Sequence, residues 1–303
     1  MMRDSAREPT VLRLSVQERS ALYIELTKPR ITAMVLLTVA IGFWLAPGGA
    51  GTSSTVLLHA LVGAGLACSG AGALNQYIER QTDGDMDRTR FRPLPAHKVS
   101  PTAVLLLGVL LASGGVGYLA SFSNTLTAAA CAATLVSYLF IYTPMKRTSP
   151  ASTLVGAIPG ALPPVMGWTA RQGNLDAGAL VLFAILFLWQ IPHFLAIGRM
   201  YRDDYASGGF PMLVVIDRDG STTGWEMVVY SLALIPCSLA TSLIGLTGSL
   251  YFWIALLAGV IYAGASWQAA RDGGVASARR LLLVSVLYLP ALFAAMFIDG
   301  LFS

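Results

Sequence analysis

Charge is scarce in this chain. Of its 303 residues only 12% are charged and 55% are hydrophobic. A soluble globular domain carries about 25% charged residues, so the shortage excludes an ordinary water-soluble domain. It points instead to an all-α integral membrane protein, with length for about nine spans of roughly 20 residues each. Cysteine is scarce as well. Cys68, Cys131 and Cys237 all sit inside apolar runs, without the spacing of a metal site or a redox motif. The first 29 residues lack the apolar core of a cleavable signal peptide and read as a cytoplasmic tail, ahead of a transmembrane domain over 30–303. A paired nucleophile and base is also missing. The formal net charge of +4 is modest, and no nucleic-acid partner is expected.

What the chain does have is long apolar runs. They fall at about 31–47, 55–78, 101–121, 124–143, 151–170, 177–198, 226–246, 249–269 and 281–299. With this count the cations fall on one side. Arg3, Arg7, Arg13, Arg19, Lys28 and Arg30 precede the first span. Arg80, Arg88, Arg90, Arg92 and Lys98 lie between the second and third, and Lys146 and Arg147 between the fourth and fifth. Arg199, Arg202 and Arg218 follow the sixth, and Arg271, Arg279 and Arg280 follow the eighth. Only Arg171 falls on the far side. The positive-inside rule then places the N-terminus and the long polar loops on the cytoplasmic face of a bacterial inner membrane. Long charged loops in a compact protein are more often functional than filler. Two of them, after the second and sixth spans, suggest two four-helix units that each contribute a polar loop to one central cavity.

The first polar segment is Asn75-Gln-Tyr-Ile-Glu79-Arg-Gln-Thr-Asp83-Gly-Asp85-Met-Asp87-Arg88-Thr-Arg90-Phe-Arg92. Charge at a membrane helix end is costly unless it has a task. Asn75, Glu79, Asp83 and Asp87 are spaced by four, which predicts one slowly drifting helix face. Carboxylates so aligned repel one another unless a cation lies between them, and Mg²⁺ held together with substrate phosphates fits. Asn75, Glu79 and Asp83 would supply oxygens to the metal. Arg88 and Arg92 would supply forked donors to a diphosphate, and an apolar bundle would take a hydrocarbon tail.

The second segment runs from Trp189-Gln-Ile-Pro-His193-Phe through Arg199, Arg202, Asp203, Asp204 and Tyr205 to Pro211-Met-Leu213. Asp203 or Asp204 could hold a second metal, and Arg199 or Arg202 could meet a phosphate or a carboxylate. His193, beside Trp189, Gln190 and Pro192, predicts a locally irregular polar patch at membrane depth that lines a cavity. The third segment, Tyr142-Thr-Pro-Met-Lys146-Arg147, closes a span. Lys146 and Arg147 read either as topology signals or as phosphate ligands with Tyr142 beside them. The Gly- and Pro-rich run Pro159-Gly-Ala-Leu-Pro163-Pro164 predicts a kinked span.

Together these residues resemble the intramembrane UbiA-type prenyltransferases. The resemblance rests on the Asn-x-x-x-acid-x-x-x-Asp pattern at Asn75, Glu79 and Asp83 and covers about residues 25–300. Further motifs resemble the heme-farnesylating branch: Tyr-Ile-x-Arg at 77–80, Arg-Thr-Arg-x-Arg-Pro-Leu at 88–94, Tyr-Thr-x-x-Lys-Arg at 142–147, Pro-Gly-Ala-x-Pro-Pro-x-x-Gly-Trp at 159–168, Trp-Gln-x-Pro-His-Phe at 189–194, Asp-Asp-Tyr at 203–205 and Pro-Met-Leu at 211–213. The chain departs from the wider pattern at Glu79, where Asp is usual, and at Ser207 and Gly208, where a second motif acid would follow Asp203 or Asp204. The resemblance implies farnesyl diphosphate and heme b as substrates, Mg²⁺ with the diphosphate, and heme o as product. It implies metal contacts from Asn75, Glu79, Asp83 and Asp203. Arg88, Arg92 and Lys146 would act on the diphosphate, His193 on the heme, and Tyr142, Arg147, Arg199, Arg202, Asp203 and Asp204 would line the substrates. Membrane lipid, a heme A synthase or oxidase-assembly partner, and a second copy of the chain are the implied associates. Three other readings share these features: a sister enzyme using an aromatic or quinone-precursor acceptor, a secondary transporter with intramembrane acids as an ion site, and a non-catalytic heme-binding protein.

Overall fold

A computed structural model describes residues 15–47 and 54–302. Arg3, Arg7 and Arg13 of the expected tail, and most of the first expected far-side loop, lie outside the described residues. The described chain is mostly helical, without a strand. Its helices are α1 Val16–Leu26, α2 Pro29–Leu45, α3 Ser54–Glu79, α4 Pro101–Phe122, α5 Thr125–Val136, α6 Thr143–Met145, α7 Ser152–Ala161, α8 Pro163–Gln172, α9 Ala177–Met200, α10 Arg202–Ser207, α11 Leu213–Ile216, α12 Ser221–Leu243, α13 Ser249–Asp272 and α14 Val275–Phe302.

Seven segments are long and apolar enough to cross a membrane: α3, α4, Thr125–Met145, α9, α12, α13 and α14. An eighth forms if α1 and α2 count as one span bent by 47°. The ninth expected span, 151–170, is two ten-residue helices. Pro163 and Pro164 stop α7 and start α8, because proline clashes with the preceding helical turn but fits the first one. The kink predicted from that run is therefore a break between two helices. Pro192, by contrast, sits inside an uninterrupted α9, so the irregularity expected around it is absent.

The bundle is arranged for a lipid solvent. On α4 the buried residues are Val104, Gly108, Ala112, Gly115 and Leu119, a single stripe at helical spacing. Leu106 and Leu110, off that stripe, are exposed, as are Phe140, Trp253 and Leu287 on other helices. Large apolar side chains spread over an outer surface suit contact with hydrocarbon. The small residues of the stripe let α3 and α4 touch backbone to backbone. A Cβ on Gly115 would collide with the backbone of Gly63 and Ala67, the close approach that small residues allow between membrane helices.

One end of the bundle collects the polar segments. Ser15 and Glu18 cap α1 reciprocally, Ser15 Oγ accepting from the Glu18 N–H while Glu18 accepts from the Ser15 N–H at 2.8 Å. The chain turns sharply after α1 at Lys28, whose φ of 49° is left-handed, and Pro29 opens α2. Gly72 leaves room for this corner: a Cβ there would press on the Leu26 carbonyl and the Lys28 side chain.

Candidate active site

Asn75 and Glu79 lie in the last two turns of α3, and both are buried. The four-residue periodicity stops there. Thr82 Oγ1 donates to the Glu79 carbonyl at 3.0 Å, satisfying a helix-end acceptor. The chain then tightens into a 3₁₀ turn over Thr82–Asp85. Asp83, 1% exposed, still faces inward, but it gets there by the turn and not along a helix face. Asp87 does not follow: it is exposed and pairs with Arg90 at 3.1 Å.

Every buried oxygen group in this cluster has a cation from another part of the chain. Lys28 Nζ donates to Asn75 Oδ1 at 2.7 Å. Lys146 Nζ meets Glu79 Oε1 at 2.9 Å, and Arg92 Nη1 meets Asp83 Oδ2 at 2.7 Å. A buried carboxylate left alone would cost several kcal/mol, so such pairing is what makes the cluster tolerable. Three cations face two carboxylates, an excess of one positive charge that suits an anion. Burial works against the Lys146 ammonium. Charge interactions with the oxygens of Tyr142 and Glu79 outweigh that and hold its pKa above the ordinary lysine value, and the Tyr142 ring lies 4.9 Å from Nζ.

Lys146 reaches this position by way of a π-helical stretch, Ser137–Tyr142. The Thr143 N–H bonds the Tyr138 carbonyl five residues back, one residue further than the bond of an α-helix. The Thr143 hydroxyl, donating to the same carbonyl at 2.8 Å, also receives a bond from Asn75 Nδ2 at 3.4 Å. Tyr142 stacks on Tyr138 and packs over Gly156. Arg147, next to Lys146, points outward and has no ion pair among the described residues.

The second polar segment joins the first through Asp204. Its Oδ1 accepts from the Asp87 N–H at 3.1 Å, and its Oδ2 lies 3.6 Å from Arg88 Nε. Arg88 also stands over the rings of Tyr201 and Tyr205. Asp203 is exposed and takes no part. Neighbours on a helix point about 100° apart, so α10 can turn only one of the two acids toward Arg88. The expected metal set of Asn75, Glu79, Asp83 and Asp203 is thus not assembled, and no three His, Cys, Asp or Glu side chains among the described residues converge as metal ligands. What converges is two carboxylates and an amide oxygen. Each ion pair uses one oxygen of its carboxylate. Mg²⁺ is commonly held by one or two carboxylates plus substrate phosphates, and this oxygen donor set fits it.

Arg199 and Arg202 bond to backbone. Arg199 Nη1 donates to the Ala269 carbonyl at 2.6 Å, in the last turn of α13, and Arg202 Nη2 to the Val215 carbonyl at 3.4 Å. They pin the 213–220 loop at the polar end of the bundle. His193, lower on α9, bonds Ser285 on α14 at 2.7 Å and stacks on Trp189. The residue that sequence reasoning missed is Lys28. It read as one more topology-setting cation, and its only signal was a lysine directly before the proline that opens an apolar helix.

A helical membrane bundle with buried carboxylates, paired cations and an apolar interior has the build of an intramembrane enzyme that acts on a lipid-tailed anion. The chain belongs to the UbiA prenyltransferase family, whose sequence pattern matches residues 35–297. It is 46% identical over 285 residues to a protein of Solibacter usitatus named protoheme IX farnesyltransferase, covering 91% of this chain and 98% of that one. A protein of the same name from Koribacter versatilis is 44% identical, covering 91% and 92%. Among solved structures, a digeranylgeranylglyceryl phosphate synthase superposes with a TM-score of 0.79 at 13% identity, over 93% of this chain and 98% of that one. A UbiA homologue from Archaeoglobus fulgidus bound to GPP and Mg²⁺ superposes with a TM-score of 0.67 at 16% identity, over 91% and 99%. These two likenesses show the fold.

Proposed function

We infer that this chain transfers the farnesyl group of farnesyl diphosphate to the 2-vinyl group of heme b, with addition of water, to give heme o and diphosphate. The observation that carries this reading is the 46% identity, over nine-tenths of the chain, to a protein named protoheme IX farnesyltransferase. The charge cluster supports the donor half. Lys28, Lys146 and Arg92 surround Glu79 and Asp83. When a diphosphate enters, Lys146 and Arg92 can turn from the carboxylates, and Lys28 from Asn75, to its oxygens, and Asn75, Glu79 and Asp83 would be left to hold Mg²⁺. Bound there, Mg²⁺ supplies Lewis-acid stabilisation of the charge that builds on the departing diphosphate.

The residues do the rest. Lys28, Lys146 and Arg92 are donors aimed at that developing negative charge in a site screened from water. As the carbon–oxygen bond lengthens, the farnesyl carbon becomes electron-poor and the heme vinyl group adds to it as an alkene. The cation left beside the pyrrole ring is captured by water, which loses a proton. No side chain has to act as a strong base to begin this sequence. Arg88 and Asp204 tie the donor loop to the acceptor half, and His193 meets the heme. Arg199 and Arg202, committed to carbonyls that hold the 213–220 loop, shape the rim of the site. The one-sided loop cations support a cytoplasmic position for this face, in a bacterial inner membrane.

Membranes containing the chain, incubated with heme b, farnesyl diphosphate and Mg²⁺, are expected to form heme o by mass, and EDTA is expected to abolish it. Heme b recovered unchanged while an aromatic acid or quinone precursor becomes prenylated would replace the acceptor. Accumulation of substrate inside vesicles, with no new product, would mark a transporter.

A further inference from the structure

Between α9 and α14 lies a hydrogen-bond chain that the diphosphate site does not use. Ser285 Oγ is 2.6 Å from the Leu282 carbonyl oxygen and 2.7 Å from His193 Nδ1. A serine hydroxyl has one proton. The Leu282 carbonyl can only accept, so at 2.6 Å the Ser285 proton must lie between those two oxygens. The short contact to His193 then needs its proton from the ring. This assigns the hydrogen to Nδ1 and the lone pair to Nε2, an assignment made by the network around the ring.

The rest of the surroundings fix the ring plane. Trp189 stacks on His193 at 4.9 Å between centroids, and its Nε1–H donates to the Ser285 carbonyl at 2.8 Å. Tyr262 Oη donates to the Trp189 carbonyl at 2.8 Å, and Phe194 meets the His193 ring edge-on at 5.6 Å. Ser285, the keystone of the chain, is fully buried. Nε2 has no hydrogen-bond partner among the described residues, yet it is not enclosed. A histidine held by Nδ1–H to a second residue, with Nε2 open, is the arrangement found where imidazole ligates a metal.

We propose that Ser285 is a positioning residue that holds His193 as the Nδ1–H tautomer, so that its Nε2 lone pair ligates the iron of the heme acceptor. This rests on the reading of heme as acceptor. His193 Nδ1 gives its hydrogen to Ser285 Oγ, Ser285 gives its own to the Leu282 carbonyl, and Nε2 donates its electron pair to iron. No proton or electron is exchanged with solvent. In the inferred reaction the bond would fix the macrocycle's position and so choose which vinyl group faces the farnesyl carbon.

The test uses the purified full-length chain in lipid nanodiscs, titrated with heme b. The readouts are the dissociation constant and the iron–histidine stretching band of the ferrous form by resonance Raman. The wild type is expected to show the band, and His193→Ala to lose it. Ser285→Ala is expected to shift or broaden it and to weaken heme binding about tenfold, the low end for loss of a group supporting a metal ligand. Ser285→Thr, which can make the same two bonds, is expected to restore both. An unchanged band and affinity in Ser285→Ala, or a surviving band in His193→Ala, would overturn the proposal. If Ser285→Ala fails to fold, ¹⁵N NMR of the heme-free wild type decides. The chain has only three histidines, so His193 is assigned by difference from His193→Ala, and an Nε2–H tautomer there refutes the assignment. Failure of the parent reading shows separately, as absence of heme o in the membrane assay while the iron–histidine band persists.

Discussion

Lys146 Nζ lies 2.9 Å from Glu79 Oε1, joining the end of α6 to the end of α3 across 67 residues of sequence. Neither side chain is more than 18% exposed. Replacing Lys146 with Met leaves Glu79 buried without its cation and removes a donor for the leaving diphosphate. The expected result is a loss of about 3 kcal/mol in stability, read by thermal unfolding in detergent. Heme o formation should fall about 100-fold in kcat/KM, in the range for removal of one transition-state donor. Lys146→Arg keeps the charge and should recover part of both.

Lys28 makes a different prediction. It touches Asn75 and neither carboxylate. Lys28→Met should therefore fold with little loss and should raise the KM for farnesyl diphosphate about tenfold, in keeping with a charge-assisted hydrogen bond worth about 1.5 kcal/mol. The KM for heme b should stay within twofold. A rise in the heme KM alone would remove Lys28 from the donor site.

The neighbouring acids of α10 should separate cleanly. Asp203→Asn alters an exposed side chain without a partner among the described residues and should leave turnover within twofold. Asp204→Asn weakens the link to Arg88 and the Asp87 N–H. A half-exposed ion pair is worth about 1 kcal/mol or less, so a loss of about fivefold in kcat/KM is expected. Equal effects from the two variants would contradict the observed facing of α10.

The π-helical stretch yields a fourth prediction. Phe140 lies within it and is 72% exposed, so its side chain contributes little to the interior. Phe140→Ala should be nearly silent. Insertion of one alanine into α5, ahead of the stretch, would by contrast rotate everything after it by about 100°. Lys146 would then leave Glu79, and heme o formation should fall at least as far as in Lys146→Met.

The spans were legible in the sequence because hydropathy alone decides what lies in hydrocarbon, whereas the run ending at Pro163 and Pro164 read as a kink and is a break between two helices. Asn75 and Glu79 were legible as a pair because they share an α-helix. Asp83 was assigned its inward position for the wrong reason, since the helix ends at Glu79 and a 3₁₀ turn carries the chain on. Asp87 was lost with that helix. Asp203 and Asp204 are one residue apart, and only the direction of α10 says which faces Arg88. Lys28 had only its place before Pro29 as a signal, and Ser285 had none. A cation near a span end and a serine within a span are both commonplace, and only tertiary contact distinguishes these two.

The donor cluster is drawn from segments that leave the ribosome at widely separate times. Lys28 emerges first, Asn75 follows 47 residues later, and Lys146 comes 67 residues after Glu79. Until the helices carrying all three are inserted, the buried carboxylates face an incomplete set of cations. The cluster is therefore complete only once the apolar segments down to Thr125–Met145, which Lys146 follows, have packed together.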